Sequence, residues 1–227
     1  MLKIGIPVFP GSNCDRDIYH VLTNLYKIKT DFIWHKKDKI KTYNAIIIPG
    51  GFSFGDRLRA GIIAAHSPII KEVKRLGNDG VPVLGICNGF QILVESELLP
   101  GSLIKNTSLN FTCKWTDLKV KNTNTPFTSK FKMNELFKIP IANGEGRYIL
   151  NEAQLKEVKK KNQIVFSYHN DDPNGSIYSI AGVTNDKRNI VGMMPHPERT
   201  CQNELKLFGL PNSAMKIFES LIAYIKK

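Results

Sequence analysis

The chain has 227 residues, 42% of them hydrophobic, and a formal charge of +12 from 32 Lys and Arg against 20 Asp and Glu. That size and apolar content suit one compact domain over 1–227, and no apolar run is long enough to cross a bilayer. The positive charge is mostly lysine, scattered along the chain without interleaved aromatic platforms, so neither nucleic acid nor a membrane is indicated as a partner.

The N-terminal MLKIGIPVFPGSN carries one lysine and a short apolar run before turning at Pro10-Gly11. It is expected to form a buried strand over Leu2 to Phe9 and not a secretory signal, which predicts a cytoplasmic protein. Asp15 to Tyr26 has apolar residues at Ile18, Val21, Leu22 and Leu25, the spacing of a helical stripe. Thr30 to His35 and Ala45 to Ile48 read as strands, Gly61 to Arg75 as one helix, and Val81 to Ile86 as a further strand running into a helix opened by Asn88. Alternation of this kind predicts a mostly parallel sheet with helices on both faces.

After Ser102 the pattern changes. Pieces such as Leu118-Lys119-Val120 are strand-like, and Glu152 to Lys160 reads as a short helix whose lysine run through Lys161 forms a solvated face. Gln163 to Tyr168, Ser179 to Val183 and Ile190 to Met194 are strand candidates separated by turn residues, which predicts added antiparallel pairing. An amphipathic helix near Asn212 to Ile225 closes the chain.

Four cysteines, Cys14, Cys87, Cys113 and Cys201, are widely spaced with no C-x-x-C pair, so no zinc site, other metal site or disulfide framework is expected. Cys87 stands apart. It sits in VPVLGICNGFQ, where a buried strand meets Gly85-Ile86-Cys87-Asn88-Gly89 and a helix begins. This is a cysteine form of the nucleophile elbow, G-x-nucleophile-x-G on a sharp strand-to-helix turn. The glycines allow a tight turn, the helix N-terminus suits an anionic sulfur, and the N–H of Asn88 faces where an oxyanion would form. An ordinary turn around a buried cysteine would leave the same local sequence.

A cysteine nucleophile needs a base, and the base needs orienting. His196 lies in Pro195-His196-Pro197-Glu198-Arg199, where flanking prolines are expected to hold the backbone extended and project His196 and Glu198 to one side. The carboxylate would then fix the ring tautomer. His20, His35 and His66, the last read as mid-helix, have plain structural readings; His169, in YHNDDPNGS, is the rival base. A third signal is Pro49-Gly50-Gly51-Phe52, a Gly-Gly turn straight after a buried strand that can aim N–H groups at an oxyanion. Asp56 and Arg57 follow, with opposite charges suited to a ligand carrying both an ammonium and a carboxylate.

The set P-G-G-F-S-x-G-D, G-I-C-N-G-F-Q and M-M-P-H-P-E-R resembles class I (triad-type) glutamine amidotransferases. With NTSLNFTCKW, IPIANGEGRY and the DPNGS turn, it is more narrowly similar to the small glutaminase subunits of phosphoribosylformylglycinamidine (FGAM) synthases of purine biosynthesis. The resemblance implies a flavodoxin-like α/β fold, Cys87 as nucleophile, His196 as base oriented by Glu198, and an oxyanion held by N–H groups at Gly51 and Asn88. It places Gly50, Phe52, Gln91, Asn110 and Phe111 at the glutamine pocket. It implies no intrinsic cofactor, with ATP and Mg used by a large FGAM synthetase partner, and a small accessory subunit beside it. The chain departs from the pattern at Asn143, where the family often has His. A sister amidotransferase serving another synthetase, a cysteine hydrolase on the same fold, and a non-catalytic binding subunit remain the alternatives at this level.

Overall fold

The computed structural model describes residues 2–201 and 213–227. Eleven strands are present among these residues: β1 Lys3–Val8, β2 Lys29–Trp34, β3 Ala45–Ile48, β4 Val83–Ile86, β5 Ser102–Ile104, β6 Thr112–Val120, β7 Leu136–Asn143, β8 Arg147–Ile149, β9 Ile164–His169, β10 Ile180–Thr184 and β11 Ile190–Met193. The helices are α1 Asp15–His20, α2 Ile62–Ala65, α3 Pro68–Asn78, α4 Asn88–Glu95, α5 Glu152–Lys160 and α6 Lys216–Ile225.

Nine strands form one sheet in the order β2-β1-β3-β4-β11-β10-β9-β6-β7, and β5 pairs with β8 apart from it. The first five are parallel, in the spatial order of flavodoxin-like sheets, and the remaining pairings are antiparallel. The α/β class with added antiparallel strands is therefore as the sequence indicated. β3 and β4 are buried at every residue, which requires cover on both faces of the sheet.

The chain leaves β4 through α4, builds the antiparallel half, and returns to lay β11 beside β4 with Met193 opposite Ile86. β3 lies on the other side of β4, with Ile48 opposite Gly85. The carboxyl ends of β3, β4 and β11 are thus neighbours. Open parallel sheets place ligands at these ends, because successive loops leave in opposite directions there.

Several elements differ from the sequence expectation. The stretch read as one helix over Gly61 to Arg75 is two, broken at His66-Ser67, because Pro68 starts a new helix and forces Ser67 into extended backbone (φ −68, ψ 147). His66 is therefore at a helix end, not in mid-helix. α1 passes into a π turn over Val21–Leu25, and the wider turn carries Leu25 to 42% exposure while Ile18, Val21 and Leu22 stay buried. The strand β7 is absent from the sequence expectation, although Phe137, Ile139 and Ile141 alternate as a half-buried strand should. Pro140 interrupts that pattern, and β7 accommodates it by being the last strand of the sheet. The start of the closing helix near Asn212 lies outside the described residues; α6 buries Ile217, Phe218, Leu221 and Ile222 as expected.

α4 docks so closely on the strand ends that a Cβ on Gly89 would fall 2.2 Å from the backbone oxygen of Ile48. No rotamer relieves a backbone clash. Gly89→Ala is therefore expected to cost about 2–3 kcal/mol, read as a lower urea midpoint. A midpoint equal to that of the parent chain would refute this close docking.

Candidate active site

Cys87 occupies the single residue between β4 and α4, with φ 51 and ψ −106. That is a strained conformation for a residue with a side chain, of a kind concentrated at functional sites. Its N–H donates to Met193 O at 2.8 Å, tying the elbow to β11, and its carbonyl accepts from Phe90 and Gln91 at 2.9 and 3.1 Å. The thiol is nearly buried and lies 3.7 Å from Ala142 O on β7.

His196 follows β11 and is 2% exposed; Glu198 is 1% exposed. The ring Nδ1–H donates to Glu198 Oε1 at 2.6 Å, since a carboxylate only accepts. Nε2 is buried and has no hydrogen-bond partner among the described residues. The two side chains meet by a route other than the extended run expected: Pro197 opens a 3₁₀ turn over Pro197–Thr200, and that turn brings Glu198 back to the ring. The main-chain N–H of His196 is anchored on Pro140 O at 2.9 Å. Burial opposes a charged His196 ring, but the adjacent Glu198 carboxylate, helped by the Cys87 and Cys14 sulfurs, outweighs it and holds the pKa well above the usual imidazole value.

Gly50 is where these parts converge. A Cβ there would lie 2.8 Å from His196 Cε1, 3.2 Å from Cys14 Sγ and 3.4 Å from Cys87 Cβ. Gly51 has φ +139, and a Cβ on it would fall 2.8 Å from Gly11 O. Among the described residues, the N–H groups of Gly51 and Asn88 donate to no backbone carbonyl.

A cleft of about 340 Å³ opens beside Cys87. Gly51, Phe52, Gln91, Asn110 and Phe111 line it together with Cys87, so five of the expected pocket positions share its wall. Phe52 and Phe111 stand at the mouth with ring centroids 6.2 Å apart. Asn88 and Gln91 serve as bracing: Asn88 accepts from Ser53 N–H and donates to Gln91 Oε1 at 2.9 Å, and Gln91 donates to Glu145 O at 2.8 Å. Asp56 also lines the cleft, whereas Arg57 is exposed and does not. His169 ends β9 opposite Asp117 and is not among the lining residues. A larger cavity of about 830 Å³ lies elsewhere, between α5 and the Leu98–Gly101 turn, and contains none of the expected site residues.

Three residues near the site escaped the sequence reading. Cys14, for which the sequence indicates no role, has its Sγ 4.0 Å from His196 Nδ1 and 3.1 Å from a nitrogen of Arg199. Burial raises its thiol pKa, and only the end of β1 lying beside β3 brings it here. Asn106 is fully buried and joins the loops around the cleft, donating to Asn110 O and Asn143 O and accepting from Gly146 N–H. Glu145 faces the cleft and accepts from Ala60 N–H at 3.2 Å. Asn106 opens NTSLNFTCKW and Glu145 lies in IPIANGEGRY, so the signal for these two is the resemblance itself, whereas none of the segments that carry it contains Cys14.

Cys14, His196 and Glu198 bring potential metal-ligating atoms within 4.8 Å of one another. The Nδ1–Oε1 contact is already a hydrogen bond, and the Arg199 guanidinium stands against Cys14 Sγ where a cation would need to approach. The chemistry of the group fits an oriented base better than a metal centre.

Burial, with repulsion from Glu145, pushes the Asp56 carboxyl up to about 6. A carboxyl whose folded pKa is raised weakens the fold as pH climbs from its ordinary value near 4 toward 6, and the penalty stays in full force above that. Asp56→Asn is therefore expected to raise the thermal midpoint at pH 8 and to leave it nearly unchanged at pH 4. Equal midpoints at pH 8 would contradict the shift.

Residues 1–225 match the CobB/CobQ-like glutamine amidotransferase domain. The phosphoribosylformylglycinamidine synthase subunit PurQ of Methanosarcina mazei is 44% identical over 99% of this chain and 98% of its own length. The subunit of the same name from Koribacter versatilis is also 44% identical, over the whole of both chains. A chain of the PurLQS structure from Thermotoga maritima superposes with a TM-score of 0.88 at 42% identity, covering 99% of each chain. A GMP synthase-like protein from Thermoplasma acidophilum, 18% identical with a TM-score of 0.62 over 100% of this chain and 94% of its own, shares the fold. The chain belongs to the CobB/CobQ-like glutamine amidotransferase family and, within it, to the PurQ subunits of phosphoribosylformylglycinamidine synthase.

Proposed function

We propose that this chain is the glutaminase of an FGAM synthase, with Cys87 as nucleophile, His196 as general base and acid, and Glu198 as the group that orients His196. The observation that carries this reading is the convergence on Gly50, where the strained Cys87 elbow and the His196–Glu198 pair meet at the edge of one cleft. His196, whose raised pKa favours the imidazolium, holds the Cys87 proton, and the sulfur attacks the side-chain amide carbon of glutamine. The oxyanion that forms takes hydrogen bonds from the N–H groups of Gly51 and Asn88. His196, its positive charge balanced by Glu198, returns the proton to the amide nitrogen; the C–N bond breaks and ammonia leaves. His196 then takes a proton from water, whose oxygen displaces the sulfur from the thioester and releases glutamate.

In this reading Asp56 and Glu145 meet the α-ammonium of glutamine, and Lys105, on the same cleft, meets its α-carboxylate. Phe52 and Phe111 cover the bound substrate. The whole chain acts as one domain, in the cytoplasm, with no cofactor of its own. Ammonia passes to a large synthetase subunit that activates formylglycinamide ribonucleotide with ATP and Mg, and a small accessory subunit completes the assembly. No helix among the described residues is long and apolar enough to cross a membrane.

The experiment is reconstitution. Tagged chain recovered from cell extract should bring with it a large ATP-dependent synthetase, and the pair should convert formylglycinamide ribonucleotide to its amidine with glutamine. Recovery of an amidotransferase partner for another substrate would overturn the pathway.

A further inference from the structure

The turn between β1 and α1, residues 9–14, packs against the loop that carries Gly50 and Gly51. Main-chain hydrogen bonds join the two. Phe54 N–H donates to Pro10 O at 2.6 Å, Phe52 N–H donates to Gly11 O at 3.0 Å, and the N–H groups of Asn13 and Cys14 share Gly50 O at 3.4 and 3.3 Å. The turn is also closed on itself. Ser12 N–H donates to Phe9 O at 3.0 Å, and Phe9 N–H donates to Ser12 Oγ at 3.1 Å.

These bonds fix which way one peptide unit faces. Ser12 and Gly51 form an antiparallel bridge whose hydrogen bonds run between their neighbours, Asn13 to Gly50 and Phe52 to Gly11. In a pair of this kind each residue turns its own N–H and C=O away from the opposite segment. The peptide between Gly50 and Gly51 is trans, so with its oxygen held by Asn13 and Cys14 its N–H points the other way. None of residues 9–14 lines the cleft, whereas Gly51 does, beside Cys87. The N–H that leaves the turn therefore faces the cleft. Such close approach needs glycine on both segments: Gly11 has φ +90 and a Cβ on it would fall 2.2 Å from Phe52 O, while a Cβ on Gly51 would fall 2.8 Å from Asn13 N.

Resting on the glutaminase reading above, we propose that the turn 9–14 is a positioning element for the oxyanion donor, and that Gly11 is the residue on which its fit depends. The turn holds the peptide between Gly50 and Gly51 in one orientation before substrate arrives. Gly51 N–H then meets the developing charge without reorganisation, which is what makes such a donor effective. Gly11 and Ser12 touch neither the sulfur nor the substrate; they act through Gly51.

The test uses Gly11→Ala, Ser12→Ala and Ser12→Thr, each assembled with the synthetase subunit. Glutaminase kinetics, ammonia-dependent amination and the rate at which iodoacetamide alkylates Cys87, read by mass spectrometry, are measured on each. Alkylation displaces iodide at a saturated carbon and forms no oxyanion, so it needs the thiolate and His196 but not Gly51 N–H. It also reports any disturbance passed through Cys14, whose Sγ is 4.0 Å from His196 Nδ1. Gly11→Ala should lower kcat and kcat/KM for glutamine together by about 10²–10³-fold, with alkylation and ammonia-dependent amination unchanged. Ser12→Ala, which frees only the Phe9 N–H, should lower both about 2- to 10-fold, and Ser12→Thr, which keeps the hydroxyl, should restore them. A parental glutaminase rate in Gly11→Ala overturns the proposal, and so does a fall matched by an equal loss of alkylation. If Gly11→Ala does not fold, equal glutaminase rates in Ser12→Ala and the parent overturn it. Glutaminase activity retained in Cys87→Ser would instead remove the reading on which the proposal rests.

Discussion

Cys87→Ser is expected to abolish glutamine-dependent amination in the assembled enzyme, by about 10⁴-fold or more, while amination from added ammonia survives. Serine is as small as cysteine and inherits the same φ of 51, the same tie to Met193 O and the same start of α4, so the fold is retained. What changes is the reacting atom. A hydroxyl holds its proton far more tightly than a thiol, is less polarisable, and is shorter on its bond to Cβ, so it cannot form the acyl intermediate at a useful rate. Ammonia supplied from solution enters after this step and needs none of it. A glutamine-dependent rate equal to the parent enzyme would sink the mechanism, and simultaneous loss of the ammonia-dependent rate would point to a broken assembly.

Glu198→Gln is expected to reduce the glutamine-dependent kcat by about 10²–10⁴-fold. Glu198 is buried and accepts from His196 Nδ1 at 2.6 Å. A carboxamide of the same shape can present its NH₂ group to Nδ1, which leaves the proton on Nε2, the nitrogen that must receive it from Cys87. The tautomer is then wrong even with the geometry preserved. Stability supplies a second readout. Glu198 raises the folded-state pKa of His196, so the pair's stabilisation is fully present below the unfolded His value of about 6.5 and is lost as pH rises through the raised one. The stability advantage of the parent chain over Glu198→Gln should therefore be greatest at pH 6 and shrink as pH rises into the alkaline range. A difference that does not vary with pH would mean that the pair is not an ion pair in the folded chain.

Both predictions turn on residues named from the sequence, and the reason is chemical locality. The elbow is written in consecutive residues, because the backbone turn, the close packing of α4 and the position of the sulfur all follow from Gly85-x-Cys87-x-Gly89. The capping box of Asn151 and Gln154 starts α5 in the same local way. Pro68 carried the break between α2 and α3 just as plainly, although the apolar period across it hid the break. Pro140 hid β7, since a proline tolerated at a sheet edge looks, in sequence, like the end of a strand.

The sequence by itself therefore determined the strand-to-helix elbow at Cys87 and the pairing of His196 with Glu198, because each is settled by contacts within a few residues. Only the tertiary structure decided the rest. β11 returns to the side of β4 after the whole antiparallel half has been built, and that return sets His196 against Gly50 and Cys87. β1 lies beside β3, which delivers Cys14 behind the ring. Asn106 clamps two loops, and the Asn143 carboxamide is buried with no hydrogen-bond partner among the described residues. Hydrogen bonds and burial between residues far apart in the chain have no local signature, since any of these side chains could equally have faced solvent until the sheet order was fixed.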